Sequence, residues 1–250
     1  MKSLIFLLIS LTACNFTAQD SENKLFLKIK ENGFIYIGNR SVPDLSELSR
    51  LINSSLNLNT SNKTIIINLS IEDKVHVERV FQIKNVLKEF REQTIIEVIK
   101  NNSVTRIKLP PLEEAEPDFK KLKKRNLLFV KVFNDSLLVN NKLKSLNKLK
   151  TLSYKFLKND VNNPSSPEQF EKNLPKIGSV KCNSKTIIIL EHGSATQYQQ
   201  YFEVFNLLKE SYLEAWDEYS QKYFNTDYKY LDKTDQMIIK DILPFVIIEI

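Results

Sequence analysis

The feature that most limits how this chain can fold is an order of strands and helices that is written twice. In the first copy Leu25-Phe26-Leu27-Lys28-Ile29-Lys30 has the residues of a strand, Asn32-Gly33 offers a turn with φ > 0, and Phe34-Ile35-Tyr36-Ile37 returns as its hairpin partner. Gly38-Asn39 closes that strand, and Pro43 opens a helix with Leu45, Leu48, Leu51 and Ile52 on its apolar face. Thr64-Ile65-Ile66-Ile67-Asn68-Leu69 is a continuous apolar run, the pattern of a buried strand. A helix from about Val75 to Arg91 follows, with Val77, Val80, Phe81, Ile83 and Leu87 on its apolar side. Strands at Thr94 to Ile99 and Val104 to Leu109, joined by a turn at Asn101-Asn102, complete the copy.

The second copy keeps the order. Leu128-Phe129-Val130-Lys131-Val132 matches the first strand, Asn134-Asp135 stands where Asn32-Gly33 stood, and Leu137 to Lys142 matches Ile35 to Arg40. Leu146, Leu149, Leu152 and Phe156 mark a helix, Lys185 to Ile189 matches Lys63 to Ile67, and Asn206 to Glu210 matches Asn85 to Glu89. Such self-similarity in unbroken order reads as an internal duplication. The spacing widens from 103 residues (Leu25 to Leu128) to 122 (Ile65 to Ile187), which puts an insertion at 160–184. Its prolines at 164, 167 and 175, with Gly178, read as a surface loop.

Between the copies Pro110 to Asp118 is acidic and proline-rich, and Lys120 to Arg125 is basic, the composition of a linker. The basic run is either a patch for anionic head groups or a solvated stretch neutralised by its acidic neighbour. These boundaries give a first domain at 25–109, a linker at 110–126 and a second domain at 127–250 with an extended C-terminal helix and tail. The expected fold class is α+β, each domain a mixed sheet of about five strands with two helices on one face.

The first residues have a separate role. Lys2 precedes the apolar run Leu4 to Leu11, which is too short for a permanent span, and Leu11-Thr12-Ala13-Cys14 ends it. This resembles a bacterial lipobox: residues 1–13 are a signal peptide, the Cys14 thiol takes the lipid, and 14–24 form a tether. An ordinary secretory signal with a chance cysteine is the other reading. Beyond it no stretch of eighteen apolar residues occurs. The expected location is the cell envelope, lipid-anchored and facing the periplasm, with Asn15 after the cysteine tilting toward the outer membrane.

Scarce residue types exclude several chemistries. Four glycines, none clustered, cannot build a dinucleotide or phosphate loop. Two histidines and two cysteines leave little for a metal centre, and Cys182 has no partner for a disulfide once Cys14 is lipidated. His192-Gly193-Ser194 after the central strand and His76 beside Glu72, Asp73 and Glu78 read as a surface turn and a solvated helix start. Glu214, Asp217 and Glu218 read as a solvated helix side. No catalytic residue, metal or cofactor is therefore assigned, and the chain is not expected to be an enzyme. The net charge of +6 is short of a nucleic-acid binder's. The aromatics of the last long helix are the candidate contacts: Trp216, Tyr219 and Tyr223 overhang the sheet, for a partner or for the chain's own Tyr228 to Leu231 tail.

Strand–turn–strand–helix–strand–helix–strand, with the hairpin Lys28 to Ile37 leading into Ser41-Val42-Pro43-Asp44-Leu45, resembles the periplasmic domain of the ExbD/TolR family of biopolymer-transport proteins. The second copy resembles the extended form found in Bacteroidota, most specifically in its tail from Lys222 to Leu231 and on through Ile242-Leu243-Pro244 to Ile250. The resemblance implies two such domains in tandem, without the family's transmembrane helix and its proton-coupling aspartate. It implies an accessory or structural component of a trans-envelope energy-transducing assembly. Its partners would be ExbB/ExbD/TonB-like components, a copy of itself, or peptidoglycan. The alternative is an envelope module that binds peptidoglycan or peptide; a hydrolase ranks third.

Overall fold

The computed structural model describes residues 24–57, 65–90, 94–100, 103–107, 122–133, 136–159 and 163–250. Residues 1–13, expected as a signal peptide, Cys14, the turns expected at Asn101-Asn102 and Asn134-Asp135, and the Pro110 to Asp118 stretch lie outside the described residues.

The chain is α+β. In its first half β1 (Lys24–Ile29) turns back into β2 (Ile35–Ile37) and β3 (Arg40–Val42), and then α1 (Leu45–Asn57) leads to β4 (Ile65–Ile71). Next come α2 (Val77–Leu87), β5 (Thr94–Lys100) and β6 (Ser103–Ile107). Gly33 takes φ 79° at the first turn, as its Asn-Gly sequence demands. Asp44 starts α1, its carboxylate accepting the Glu47 N–H at 2.8 Å. The mixed sheet runs β3-β2-β1-β4-β5-β6, with β1 antiparallel to β2 and parallel to β4, and β4 parallel to β5.

The second half comprises β7 (Leu127–Phe133), β8 (Ser136–Val139), β9 (Lys142–Leu143), α3 (Leu146–Lys158), β10 (Phe170–Leu174), β11 (Gly178–Cys182) and β12 (Ile187–His192). It closes with α4 (Tyr198–Phe224), α5 (Lys233–Ile242) and β13 (Ile247–Glu249). Its sheet runs β13-β12-β7-β8-β9, with β7 antiparallel to β8 and parallel to β12, and β12 parallel to β13. Strand order and pairing sense thus repeat those of the first sheet, which carries β6 in addition.

Register sharpens the match between the halves. Leu25 pairs with Ile67 and Leu128 pairs with Ile188, so the equivalent of Ile67 is Ile188, not the Ile189 that sequence matching gives. A slip of one residue would turn every side chain to the other face. In the corrected alignment Ile67 and Leu69 answer to Ile188 and Leu190, all four buried in the common core. Runs of three isoleucines in both copies hide this slip from the sequence.

Two further expectations change. The insertion at 160–184 is not a loop throughout: it carries the β10–β11 hairpin, and Leu174, Val180 and Cys182 are buried. Buried amides pin it. Asn183 Nδ2 donates to Leu157 O at 2.9 Å and to the Tyr219 hydroxyl at 3.0 Å, while Asn183 Oδ1 accepts from Asn159 at 3.1 Å and Gln169 at 2.9 Å. The second helix of the first half stops at Leu87 and continues only as a 3₁₀ turn, Lys88–Phe90.

Ile67 and Ile188 sit at equivalent points of the two cores, both fully buried. Ile67→Ala and Ile188→Ala are each expected to cost about 2–5 kcal/mol in denaturant unfolding, and a loss below about 1 kcal/mol at either would contradict the equivalence.

Candidate functional site

Helix α2 and helix α4 begin at equivalent positions, Val77 and Tyr198, and their N-termini meet. The four leading N–H groups of a helix lack partners within it. Here the Val77 N–H donates to Thr196 O at 2.8 Å and the Tyr198 N–H donates to Val75 O at 2.7 Å. Under the register match Val75 answers to Thr196 and Val77 to Tyr198, so the two bonds are exchanged copies of each other. Between them His76 and Gln197, also equivalent, form an isolated antiparallel bridge. The contact therefore has local two-fold character, like an isologous interface within one chain.

Side chains complete this seam, and they are not symmetric. The Phe81 ring lies 4.5 Å from His192 and 5.8 Å from Tyr201, centroid to centroid. Lys84, only 3% exposed, forms an ion pair with Glu249 and stands 4.4 Å over the Phe81 ring. Both charges interrupt apolar patterns, Lys84 on the buried stripe of α2 and Glu249 within the last strand. That interruption is the sequence signal for this pair, and sequence reasoning missed it. Burial pushes the His192 pKa down, against the opposing pull of the Gly193 carbonyl, Glu78 and Glu249. Tyr201 is pushed up by burial and by Glu249.

Of the two occupants the sequence allows for the aromatic overhang, the chain's own tail is the one that packs on Trp216. Trp216 is 7% exposed, donates from Nε1 to Leu243 O at 2.8 Å, and packs against Tyr228 at 4.9 Å and Phe245 at 6.1 Å. Tyr219 takes the Asn183 hydrogen bond, and burial raises its pKa to about 12. Tyr223 is half-buried against the same core. The chain's own tail thus covers Trp216, the second of the two options the sequence offers, and leaves that residue no exposed face for a partner. The physical cause is the αL cap at Asn225 (φ 54°), which ends α4 and turns the tail back.

Other candidates are dispersed. Glu214 lies 3.7 Å from Lys150, Glu218 lies 3.0 Å from Lys158, and Asp217 accepts the Tyr228 N–H at 2.9 Å. The three carboxylates have separate structural partners. His76 is the N-cap residue of α2, and Gly193 approaches Phe133 so closely that an added Cβ would stand 3.2 Å from it. Cys182 is buried, and burial pushes its thiol pKa up, the opposite of an activated cysteine. In the basic run, Lys123 (2.5 Å) and Arg125 (2.6 Å) both reach Glu168 of the insertion, holding its carboxyl down at about 2. An open cavity of about 470 Å³ lies beside this node, lined by Arg125, Asn163, Gln169, Phe170 and Lys181. Among the described residues no group of His, Cys, Asp and Glu side chains could hold a metal ion, and no helix is long and apolar enough to cross a membrane.

In comparisons with known proteins, no family model and no curated sequence matches the chain.

The burial that lowers the His192 pKa predicts a pH response of the seam. His192 is neutral in the closed seam, and an opened seam would bind its proton more readily. The seam is then at full strength above the ordinary histidine range, about 6.5, and weakens as pH falls through the depressed value. The thermal midpoint is expected to fall between pH 7.5 and 5, and to fall less in His192→Phe, which keeps a ring against Phe81. Equal falls in both proteins would contradict this role.

Proposed function

We propose that the chain is a lipid-anchored accessory or structural component of a trans-envelope energy-transducing assembly of the ExbD/TolR kind, built from two ExbD/TolR-like domains in tandem. The observation that carries this reading is the repeated strand order, β3-β2-β1-β4-β5 and β9-β8-β7-β12-β13, with the same pairing sense at every step. It accompanies the lipobox-like Leu11-Thr12-Ala13-Cys14 and the tail from Lys222. The domain works by protein contact, through strands and helix faces. It has no proton-conducting role, because the resemblance is to the family's periplasmic domain and not to its aspartate-bearing span.

A second reading, an envelope module for peptidoglycan or peptide, is favoured by the cavity beside Arg125 and Gln169. One experiment separates the two. Mild crosslinking of membranes followed by capture of the full chain is expected to recover ExbB/ExbD/TonB-like proteins. Recovery of none, with tight binding to purified peptidoglycan, would replace the first reading by the second. Cys14→Ala is expected to abolish labelling by fatty acid and to release the chain from membranes; unchanged membrane association would refute the anchor.

A further inference from the structure

The backbone of the seam does not discriminate between partners. Its reciprocal bonds, Val77 N–H to Thr196 O and Tyr198 N–H to Val75 O, join equivalent groups, and every half carries the same donor and the same acceptor. By backbone alone, a first half could pair with the first half of another copy, and a second half with another second half. Such contacts between copies would leave the remaining halves free to pair onward, the route to open-ended assembly.

We infer that the Lys84–Glu249 ion pair is the element that restricts the seam to first-half-with-second-half pairing. The register fixes what each charge would meet otherwise. Leu69 pairs with Val98 and Leu190 pairs with Glu249, so Val98 occupies Glu249's place in the first sheet. Seven positions into its helix, Phe205 occupies Lys84's place. Two first halves together would bury Lys84 against Val98. Two second halves together would bury Glu249 against Phe205. Either arrangement strands an unpaired charge in an apolar site, which costs far more than a pair contributes. Only the unlike pairing brings the opposite charges together. The ion pair therefore adds little to the strength of the seam and much to its selectivity, as a single polar core residue does when it fixes register in a coiled coil.

This rests on the reading of two equivalent halves, and it needs no envelope partner, so failure to capture one would leave it untouched. The test uses two full chains carrying different tags, co-expressed and solubilised in detergent; one tag is captured and the other is read. The wild-type chains are expected to stay separate. Lys84→Phe with Glu249→Val in one chain replaces each charge by its counterpart from the other half, and carry-over of the second tag is expected to rise about tenfold or more. Lys84→Glu with Glu249→Lys in one chain restores a pair and is expected to return carry-over to the wild-type level. Should the apolar variant not fold, judged by circular dichroism melting, a Lys84→Glu chain co-expressed with a Glu249→Lys chain decides the matter. Each is expected to capture the other, since both ion pairs re-form between copies, and neither is expected to capture itself. A folded apolar variant that stays unmixed, wild-type chains that exchange as freely as the variant, or charge-reversed chains that ignore each other would overturn the inference.

Discussion

Parallel pairing of β1 with β4, and of β7 with β12, is the constraint on which the rest of the structure depends. Parallel neighbours cannot be joined by a tight turn, so each half must send a helix across its sheet, α1 in one and α3 in the other. The hairpins β1–β2 and β7–β8 extend the sheets to one side, and the strands after α2 and α4 extend them to the other. Alternation then sorts the residues. Leu27, Ile29, Val130 and Val132 join the helices in the core, while Phe26, Lys28, Phe129 and Lys131 turn to the opposite face. The same geometry leaves the second helix of each half starting at the end of a central strand. There the two N-termini meet and supply each other's missing acceptors.

The seam joins a nearly symmetric backbone to asymmetric side chains. Backbone exchange at Val75, Val77, Thr196 and Tyr198 treats the halves as equals. Phe81 against His192, and Lys84 against Glu249, do not. Two halves with the same strand order supply a contact that fits itself, and differences at a few buried positions make one pairing preferable. The second half differs from the first elsewhere too. Its insertion is pinned by Asn159, Gln169, Asn183 and Tyr219, and its long helix is roofed by the tail through Trp216 and Phe245.

Much of this order could be read in the sequence, because period-two and helical patterns are local. The hairpins, the central apolar strands, α1, α3 and the unequal halves all follow from residues near one another in the chain. What escaped depends on residues far apart. The register of β4 and β12 was ambiguous by one step within their isoleucine runs, and only pairing with β1 and β7 resolves it. Glu168 takes Lys123 and Arg125 across more than forty residues, so the basic run is neutralised from the insertion and not only from its own linker. The tail's cover over Trp216 was one of two options the sequence left open, and the αL turn at Asn225 decides it, whereas the Asn183 partner of Tyr219 comes from the insertion and has no sequence signal. Lys84 and Glu249 were visible only as charges out of place in apolar patterns, and nothing in the sequence pairs them.

Amide hydrogen exchange at Val77 and Tyr198 tests the central claim, that two like halves are joined through reciprocal backbone bonds. Both amides lie at helix starts, where an N–H with no partner exchanges rapidly. They are expected to be protected to a similar degree and to lose protection together, in one opening step, when the seam is weakened by acid. Rapid exchange at either amide in the intact protein, or loss of protection at one while the other keeps it, would contradict the claim.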